Sequence, residues 1–237
     1  GVALSRMSLH DWIDNRVPGG HASPMGQFID VADTVEYGAD TTEQTALNLV
    51  YLMSYQHNPE HFSVWGLSDE RYHIVGGNQQ LPERIAADLP DGTVRHGWCL
   101  LAITRNADGT QTLTFDVDGR IRTRRVDHTV LAVPLGVLQR LDLSRAGLDQ
   151  RKRKSIAAMR MGACTKLNMQ LDSRPYLGEG PSPGVSNGEW FTDTGFQQVW
   201  DATRGQRGHT GILIQYGAGS CARAVPATTP MERGVHS

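Results

Sequence analysis

Hydrophobic positions in the N-terminal part of the chain recur at helical spacing. They predict a short helix over residues 8–15 and a longer helix over residues 24–35. A third helix is indicated by residues 40–43, whose Asp-Thr-Thr-Glu order has the form of a capping box and precedes an apolar stripe ending at Met53. Together these segments predict a small helical subdomain.

The pattern then changes to the alternation that is typical of strands. Residues 61–65 and 72–75 are candidate strands, and an amphipathic helix follows over residues 81–89. Three alternating segments, joined by Asn-Ala-Asp-Gly and Asp-Gly turns, predict an antiparallel meander. Its strands are residues 98–105, 111–117 and 120–126.

The rest of the chain predicts a second sheet with one more helix, so the fold class is α+β. A strand over residues 128–133 ends at Pro134, a helix covers residues 149–159, and residues 173–188 form a Gly/Pro/Ser-rich loop. Residues 220–237 are predicted to be a disordered tail because they carry few apolar side chains. The remaining predicted strands are residues 164–171, 189–192, 197–200 and 211–216.

Charge and composition exclude several classes of function. A net charge of −2 provides no field for nucleic acid or an anionic membrane. No apolar run is long enough to cross a bilayer and none opens the chain as a secretory signal, so we expect a cytoplasmic location. Three cysteines without paired spacing argue against a disulfide framework or a zinc site, and nine scattered histidines form no metal-binding motif. No metal is expected.

Three segments carry a more specific signal. Residues 71–85 read as a strand, a Gly76-Gly77 turn and an amphipathic helix. Residues 130–138 contain Ala-Val-Pro-Leu-Gly-Val-Leu, and residues 161–166 are Met-Gly-Ala-Cys-Thr-Lys. In this order they resemble the middle of a flavin-dependent amine oxidase. That family includes monoamine, polyamine and L-amino-acid oxidases and the flavin histone demethylases.

The resemblance implies a domain organisation. It consists of an amine-oxidase-like substrate domain, in which helices flank a mixed sheet, together with the meander and part of an FAD-binding domain. Residues 1–70 would form the helical part of the substrate domain and residues 71–140 the partial FAD-binding domain. Residues 141–219 would supply the substrate-domain sheet and helix. The N-terminal βαβ unit and the C-terminal flavin-binding segment of the family are absent from this sequence.

The resemblance also implies FAD as the cofactor. Gly76 and Gly77 would set the strand-to-helix turn beneath the flavin, and Leu100 and Ala132 would pass near the adenine. The residues alone are less specific, because the Gly-x-Gly-x-x-Gly fingerprint of dinucleotide sites is missing and a di-glycine is typical of any tight turn. An apolar residue such as Leu100 is equally typical of any half-buried strand.

Lys166 lies in the middle of an alternating strand. Burying an unpaired ammonium costs several kcal/mol, so spacing alone favours a lysine on the polar face of an edge strand. The resemblance implies a catalytic role instead, with the lysine holding a water molecule against the flavin N5 atom.

The substrate pocket implied by the resemblance contains Trp200, Phe62, Ser63 and Glu70. Trp200 would shape substrate entry, although a tryptophan packing across strands is equally consistent with its position. Glu70 would pair with a cationic amine or, as the residues alone favour, remain a surface charge beside Arg71.

The function implied is that of part of an FAD-dependent oxidase. It would oxidise the C–N bond of an amine or amino acid by hydride transfer to flavin, yielding an imine and hydrogen peroxide. Its partners would be this substrate, dioxygen, and either missing segments of a parent chain or a second copy in a homo-oligomer. Two alternatives stay open: a catalytically silent fragment or substrate-binding module without flavin, and a flavin dehydrogenase or desaturase of the same superfamily.

Overall fold

The computed structural model of the chain describes residues 1–54, 60, 72–177, 188–192 and 194–225. The helices are α1 Leu9–Arg16, α2 Pro24–Tyr37, α3 Ala46–Met53, α4 Gln80–Ala87, α5 Leu135–Leu138, α6 Gln150–Ala158 and α7 Gly219–Ala224. The strands are β1 Cys99–Arg105, β2 Gln111–Val117, β3 Arg120–Val126, β4 Cys164–Leu171, β5 Glu189–Phe191, β6 Gln198–Asp201 and β7 Gly211–Ala218. The α+β class predicted from the sequence is therefore confirmed.

The chain divides into two compact units. The first combines Gly1–Ser68 with Gly162–Ser237, and the second is Asp69–Met161. The second unit thus continues to Met161, whereas the sequence analysis placed a boundary at residue 140. The functions assigned to the individual segments remain predictions.

In the first unit, α1, α2 and α3 form a helical layer with its own core. Ser8 and Ser23 cap α1 and α2 by accepting backbone N–H groups of Asp11 and Gly26, both at 3.0 Å. The apolar stripes of the three helices then face one another. The buried core residues are Leu9, Ile13, Val17, Ile29 and Leu49.

The first unit also contains a four-stranded sheet in the order β4-β7-β6-β5. The sequence analysis expected a mixed sheet, but the described strands pair antiparallel throughout. Phe28 of α2 packs edge-on against Phe191 of β5, with ring centroids 5.0 Å apart. The helical layer thus covers part of one sheet face.

The second unit is built around the β1-β2-β3 meander, whose strand bounds agree with the prediction to within one residue. Asp118 and Gly119 both adopt positive φ at the β2–β3 turn, as a tight hairpin requires. Backbone bonds also join β1 to the segment after α5: Ile103 N–H donates to the Asp142 carbonyl at 3.1 Å.

Four local predictions were wrong. Residues 72–75 and 128–133 form no strand, because no described strand pairs with them. Helix α3 begins at Ala46 and not at the proposed capping box, since the Asp40 carboxylate binds α7 instead. Helix α7 occupies residues 219–224, the start of the stretch expected to be disordered. The predicted strand over residues 61–65 lies outside the described residues.

Within the described part of the chain, every helix is too short or too polar to traverse a lipid bilayer.

Asp33 on α2 is a carboxyl group in the interior of the first unit. Its side chain is only 1% exposed, and neither carboxyl oxygen has a hydrogen-bond partner among the described residues. Burial, aided by the nearby charges of Glu36 and Asp30, raises the pKa of Asp33 to about 7. The chain therefore folds most favourably when the Asp33 carboxyl group is neutral.

Asp33 should make the stability of the chain depend on pH. Between the unfolded pKa of about 3.9 and the folded value of about 7, the folded state holds the extra proton. Its contribution to stability is therefore present below about pH 4 and is lost as the pH rises, by up to about 1.4 kcal/mol per pH unit. We expect Asp33→Asn to flatten this dependence and to be more stable than the parent chain above neutral pH. Urea unfolding across a pH series, with the exposed Asp11→Asn as control, checks this; equal pH slopes for Asp33→Asn and the parent chain would refute it.

Candidate functional site

Lys166 lies near the start of β4, which is the edge strand of the four-stranded sheet. The alternation expected from the sequence is present, with Leu167 buried on one face and Lys166 and Asn168 exposed on the other. The lysine is therefore on the polar face of an edge strand, as the residue pattern alone favoured. Because its ammonium group remains hydrated, it carries no large desolvation cost.

Two aromatic rings flank the Lys166 ammonium. Its Nζ atom lies 4.9 Å from the ring centroid of Trp200 and 5.3 Å from that of Tyr216. The two rings are 5.6 Å apart and inclined by 66°, an edge-to-face arrangement. Both distances are within the range of cation–π attraction. The structure thus brings together two of the predicted site residues, Lys166 and Trp200.

Strand register explains why these side chains meet. Lys166 of β4 is paired with Tyr216 of β7, which is in turn paired with Gln198 of β6. Trp200, two residues beyond Gln198, has its side chain on the same face. Paired residues in an antiparallel sheet share a face with their Cβ atoms about 5 Å apart. The cation and the aromatic pair are therefore positioned by backbone hydrogen bonding.

The carboxylate of Glu189 lies beside the group formed by Lys166, Trp200 and Tyr216. Glu189 of β5 is paired with Trp200, is half-buried, and accepts a hydrogen bond from the Gln198 amide at 2.7 Å. The sequence analysis missed Tyr216, Gln198 and Glu189. Their strands alternate in the right phase, but only the register between strands, which one sequence does not reveal, shows that they face Lys166.

Tyr216 is held in its neutral form. Burial of the phenol raises its pKa, and a hydrogen bond with Cys164 and the charges of Cys164 and Glu36 act in the same direction. The phenol therefore does not ionise beside Lys166 near neutral pH, and the lysine charge is not cancelled from that side.

The predicted cofactor residues all lie in the second unit. Gly76 and Gly77 form the expected turn, with φ of 88° and 95° that other residues rarely adopt, and α4 begins directly afterwards at Gln80. Leu100 is half-buried on β1, and Ala132 is exposed in a segment without regular structure. Their contact with a cofactor remains a prediction.

Phe62, Ser63 and Glu70, the other predicted pocket residues, lie outside the described residues.

Comparison with known proteins identifies the family. Residues 11–233 match the family model described as flavin-containing amine oxidoreductase. The chain belongs to the flavin-containing amine oxidoreductase family. FAD is therefore the cofactor that the family implies.

Two solved amine oxidases share the fold of this family member. A double mutant of putrescine oxidase, made in a redesign of cofactor binding, superposes with a TM-score of 0.75 at 19% identity over 99% of this chain. Cyclohexylamine oxidase from Brevibacterium oxydans IH-35A gives a TM-score of 0.73 at 19% identity over 98%. In both cases the match covers 49% of the solved chain, so this chain spans about half their length.

The described residues fit one end of FAD. An exposed ammonium beside aromatic rings suits the electron-accepting ring system, where a positive charge stabilises developing negative charge. For the other end, Gly217, Gly219 and Ala222, between β7 and α7, have the spacing of a variant dinucleotide fingerprint.

The segment with this dinucleotide-like spacing does not fit a diphosphate. The Asp40 carboxylate already caps α7, accepting the Ser220 N–H at 2.9 Å and the Ser220 hydroxyl at 3.0 Å. In addition, β7 runs antiparallel to both of its neighbours, so no βαβ unit is formed there. The described start of α7 in this family member therefore offers no cradle for a diphosphate.

The raised pKa of Tyr216 can be tested by alkaline titration. Because Tyr216 stays protonated where ordinary tyrosines ionise, at about pH 10, Tyr216→Phe should not reduce the phenolate absorbance that develops there. Tyr72→Phe, which removes a tyrosine that is 88% exposed, is the control variant. A loss of this absorbance in Tyr216→Phe as large as that in Tyr72→Phe would contradict the proposed environment of Tyr216.

Proposed function

We propose that the parent protein of this chain is an FAD-dependent oxidase that oxidises the C–N bond of an amine or amino acid, yielding an imine and hydrogen peroxide. The observation that carries the proposal is the exposed Lys166 side chain, whose ammonium lies over the Trp200 and Tyr216 rings. Family membership supports it further. FAD, when bound, supplies the hydride acceptor for this chemistry.

Lys166 would act as the catalytic group. Its ammonium has three donors, of which one would hold a water molecule and the others would face the reacting centre. A fixed positive charge there would stabilise negative charge as it develops on oxygen or on the cofactor. Since Tyr216 stays neutral, its phenol would not offset this charge.

Trp200, Tyr216 and Glu189 would form the substrate side of the site. Aromatic faces suit the apolar part of an amine, and a half-buried carboxylate suits its ammonium group. Glu189 thus joins Glu70 as a candidate partner for a cationic amine, and Phe62 and Ser63 remain further candidates for the pocket. Putrescine and cyclohexylamine, the amines in the names of the two structural relatives, are suitable first substrates.

In the second unit, Gly76 and Gly77 would allow the backbone to approach FAD closely, because neither has a side chain. Leu100 and Ala132 would offer small apolar contacts to the adenine. We further propose a cytoplasmic location, with the remaining flavin-binding segments supplied by a longer parent chain or by a second copy.

A second candidate function is a substrate-binding module without flavin. The Asp40 carboxylate at the start of α7 favours this alternative for the chain alone, because it occupies the described helix terminus with dinucleotide-like spacing. The two functions differ in whether the chain retains FAD.

Flavin retention and turnover test the proposed function. The chain incubated with FAD should keep a visible flavin spectrum through gel filtration and release hydrogen peroxide with an amine. Lys166→Met should lower the rate of peroxide release by about 10²–10³-fold, as loss of one stabilising donor does. Lys152→Met, which removes an exposed lysine of α6, is the matched control. A chain that never retains FAD would support the binding module, and full activity of Lys166→Met would remove the catalytic role of Lys166.

Glu189→Gln tests the recognition of a cationic amine. The substitution keeps the shape of the side chain but removes its charge, so the KM for putrescine should rise about tenfold, equivalent to about 1.4 kcal/mol. Glu83→Gln on the exposed surface of α4 should leave the KM unchanged. If both variants bind putrescine like the parent chain, Glu189 is not the ammonium partner. When turnover is absent, equilibrium dialysis with labelled putrescine gives the same comparison.

A further inference from the structure

Two histidines and an aspartate converge at the surface of the helical layer. His10 and Asp14 are one turn apart on α1, and His21 lies in the short 3₁₀ segment Gly20–Ala22 that precedes α2. The two imidazole rings are stacked with centroids 4.0 Å apart. One nitrogen or oxygen atom from each of the three residues lies within 4.8 Å of the others.

Asp14 is held in place by the segment that carries His21. Its Oδ1 atom accepts the backbone N–H of His21 at 3.0 Å and lies 2.7 Å from the His21 Nδ1 atom. This approach requires glycine at position 20, where φ is 54° and a Cβ atom would lie 2.7 Å from Asp14 Oδ1. The hydrogen bonds from His21 lower the pKa of Asp14, so the carboxylate is ionised and oriented.

Asp30 of α2 approaches the other side of His21. Its Oδ1 atom lies 3.6 Å from His21 Nε2 and accepts a hydrogen bond from the Thr41 hydroxyl. His21 Nε2 is itself buried and has no hydrogen-bond partner among the described residues. Asp30 and Asp14 thus border the two opposite nitrogens of the His21 ring, and Nδ1 is the nitrogen beside Asp14.

Of the two separations between a histidine and Asp14, one suits a shared metal ion. The other, 2.7 Å between His21 Nδ1 and Asp14 Oδ1, is a hydrogen bond that the ion would replace. With metal–ligand bonds of about 2.0–2.1 Å, two ligands on one ion stand about 3–4 Å apart. The distance from His10 Nδ1 to Asp14 Oδ2 is 3.7 Å, which is within that range and too long for a hydrogen bond.

We propose that His10, Asp14 and His21 bind one divalent transition-metal ion of the Zn²⁺ type. Imidazole and carboxylate donors without thiolate suit Zn²⁺ and its first-row neighbours. Each ring turns about its Cβ–Cγ bond to direct a lone pair at the common ion. The ion links α1 to the start of α2, so its role is structural and independent of the proposed flavin chemistry.

Calorimetric titration of the full chain with ZnCl₂ tests the site. We expect one Zn²⁺ per chain in the tight phase. His10→Asn and His21→Asn should each weaken that phase at least tenfold, since even loss of a residue that orients a ligand costs about 10–100-fold in metal affinity. His209→Asn, which removes an exposed histidine of the same unit, is the matched control. Free thiols are common to all four proteins and cancel in the comparison.

Unchanged affinity in His10→Asn and His21→Asn, or an equal loss in His209→Asn, would overturn the proposal. His10→Asn leaves the contacts between Asp14 and His21 intact, so it remains informative if His21→Asn fails to fold. Imidazole ¹⁵N chemical shifts give a reading that needs no variant. Zn²⁺ should shift the His10 and His21 resonances at one equivalent, and a titration in which these two do not move would also overturn the site.

Discussion

The antiparallel pairing of β4 with β7 is the constraint on which the rest of the first unit depends. It runs from Cys164 opposite Ala218 to Leu171 opposite Gly211 without a bulge. In this register Leu167 is buried on one face, while Lys166 is exposed beside Tyr216 on the other. A shift of one residue would exchange the two faces, burying the lysine and exposing the leucine. The same backbone hydrogen bonds therefore determine both the packing of the core and the position of the Lys166 ammonium.

Segments that find their partners nearby in sequence could be predicted well. The meander strands, linked by short Asn/Asp/Gly turns, agree with the prediction almost residue for residue, and β4 agrees at both ends. Segments whose behaviour depends on a distant or missing partner could not. Residues 128–133 have a strand-like pattern but no described strand to pair with, and the acidic start of the supposed capping box serves a helix 180 residues away.

The same distinction applies to the candidate sites. Lys166 and Trp200 could be singled out because the resemblance to flavin-dependent amine oxidases marks their positions, whereas the residue pattern alone favoured a polar-face lysine and equally allowed a packing tryptophan. Tyr216 and Glu189 could not, because only strand register places them. His10, Asp14 and His21 form no metal-binding motif in the sequence, and it is a positive-φ glycine that folds the segment of His21 back onto α1.

Three remote segments of the first unit are joined directly by their backbones. The Gly38 carbonyl accepts the Ala163 N–H at 2.7 Å, and the Ala163 carbonyl accepts the Gly219 N–H at 2.9 Å. During synthesis the whole unit Asp69–Met161 leaves the ribosome between the first and the second of these segments. Since domains fold as units while the chain emerges, the unit Asp69–Met161 can fold before the sheet that packs on the helical layer has been synthesised. Strand β7, the last of the described strands in chain order, then completes the unit that α1, α2 and α3 began.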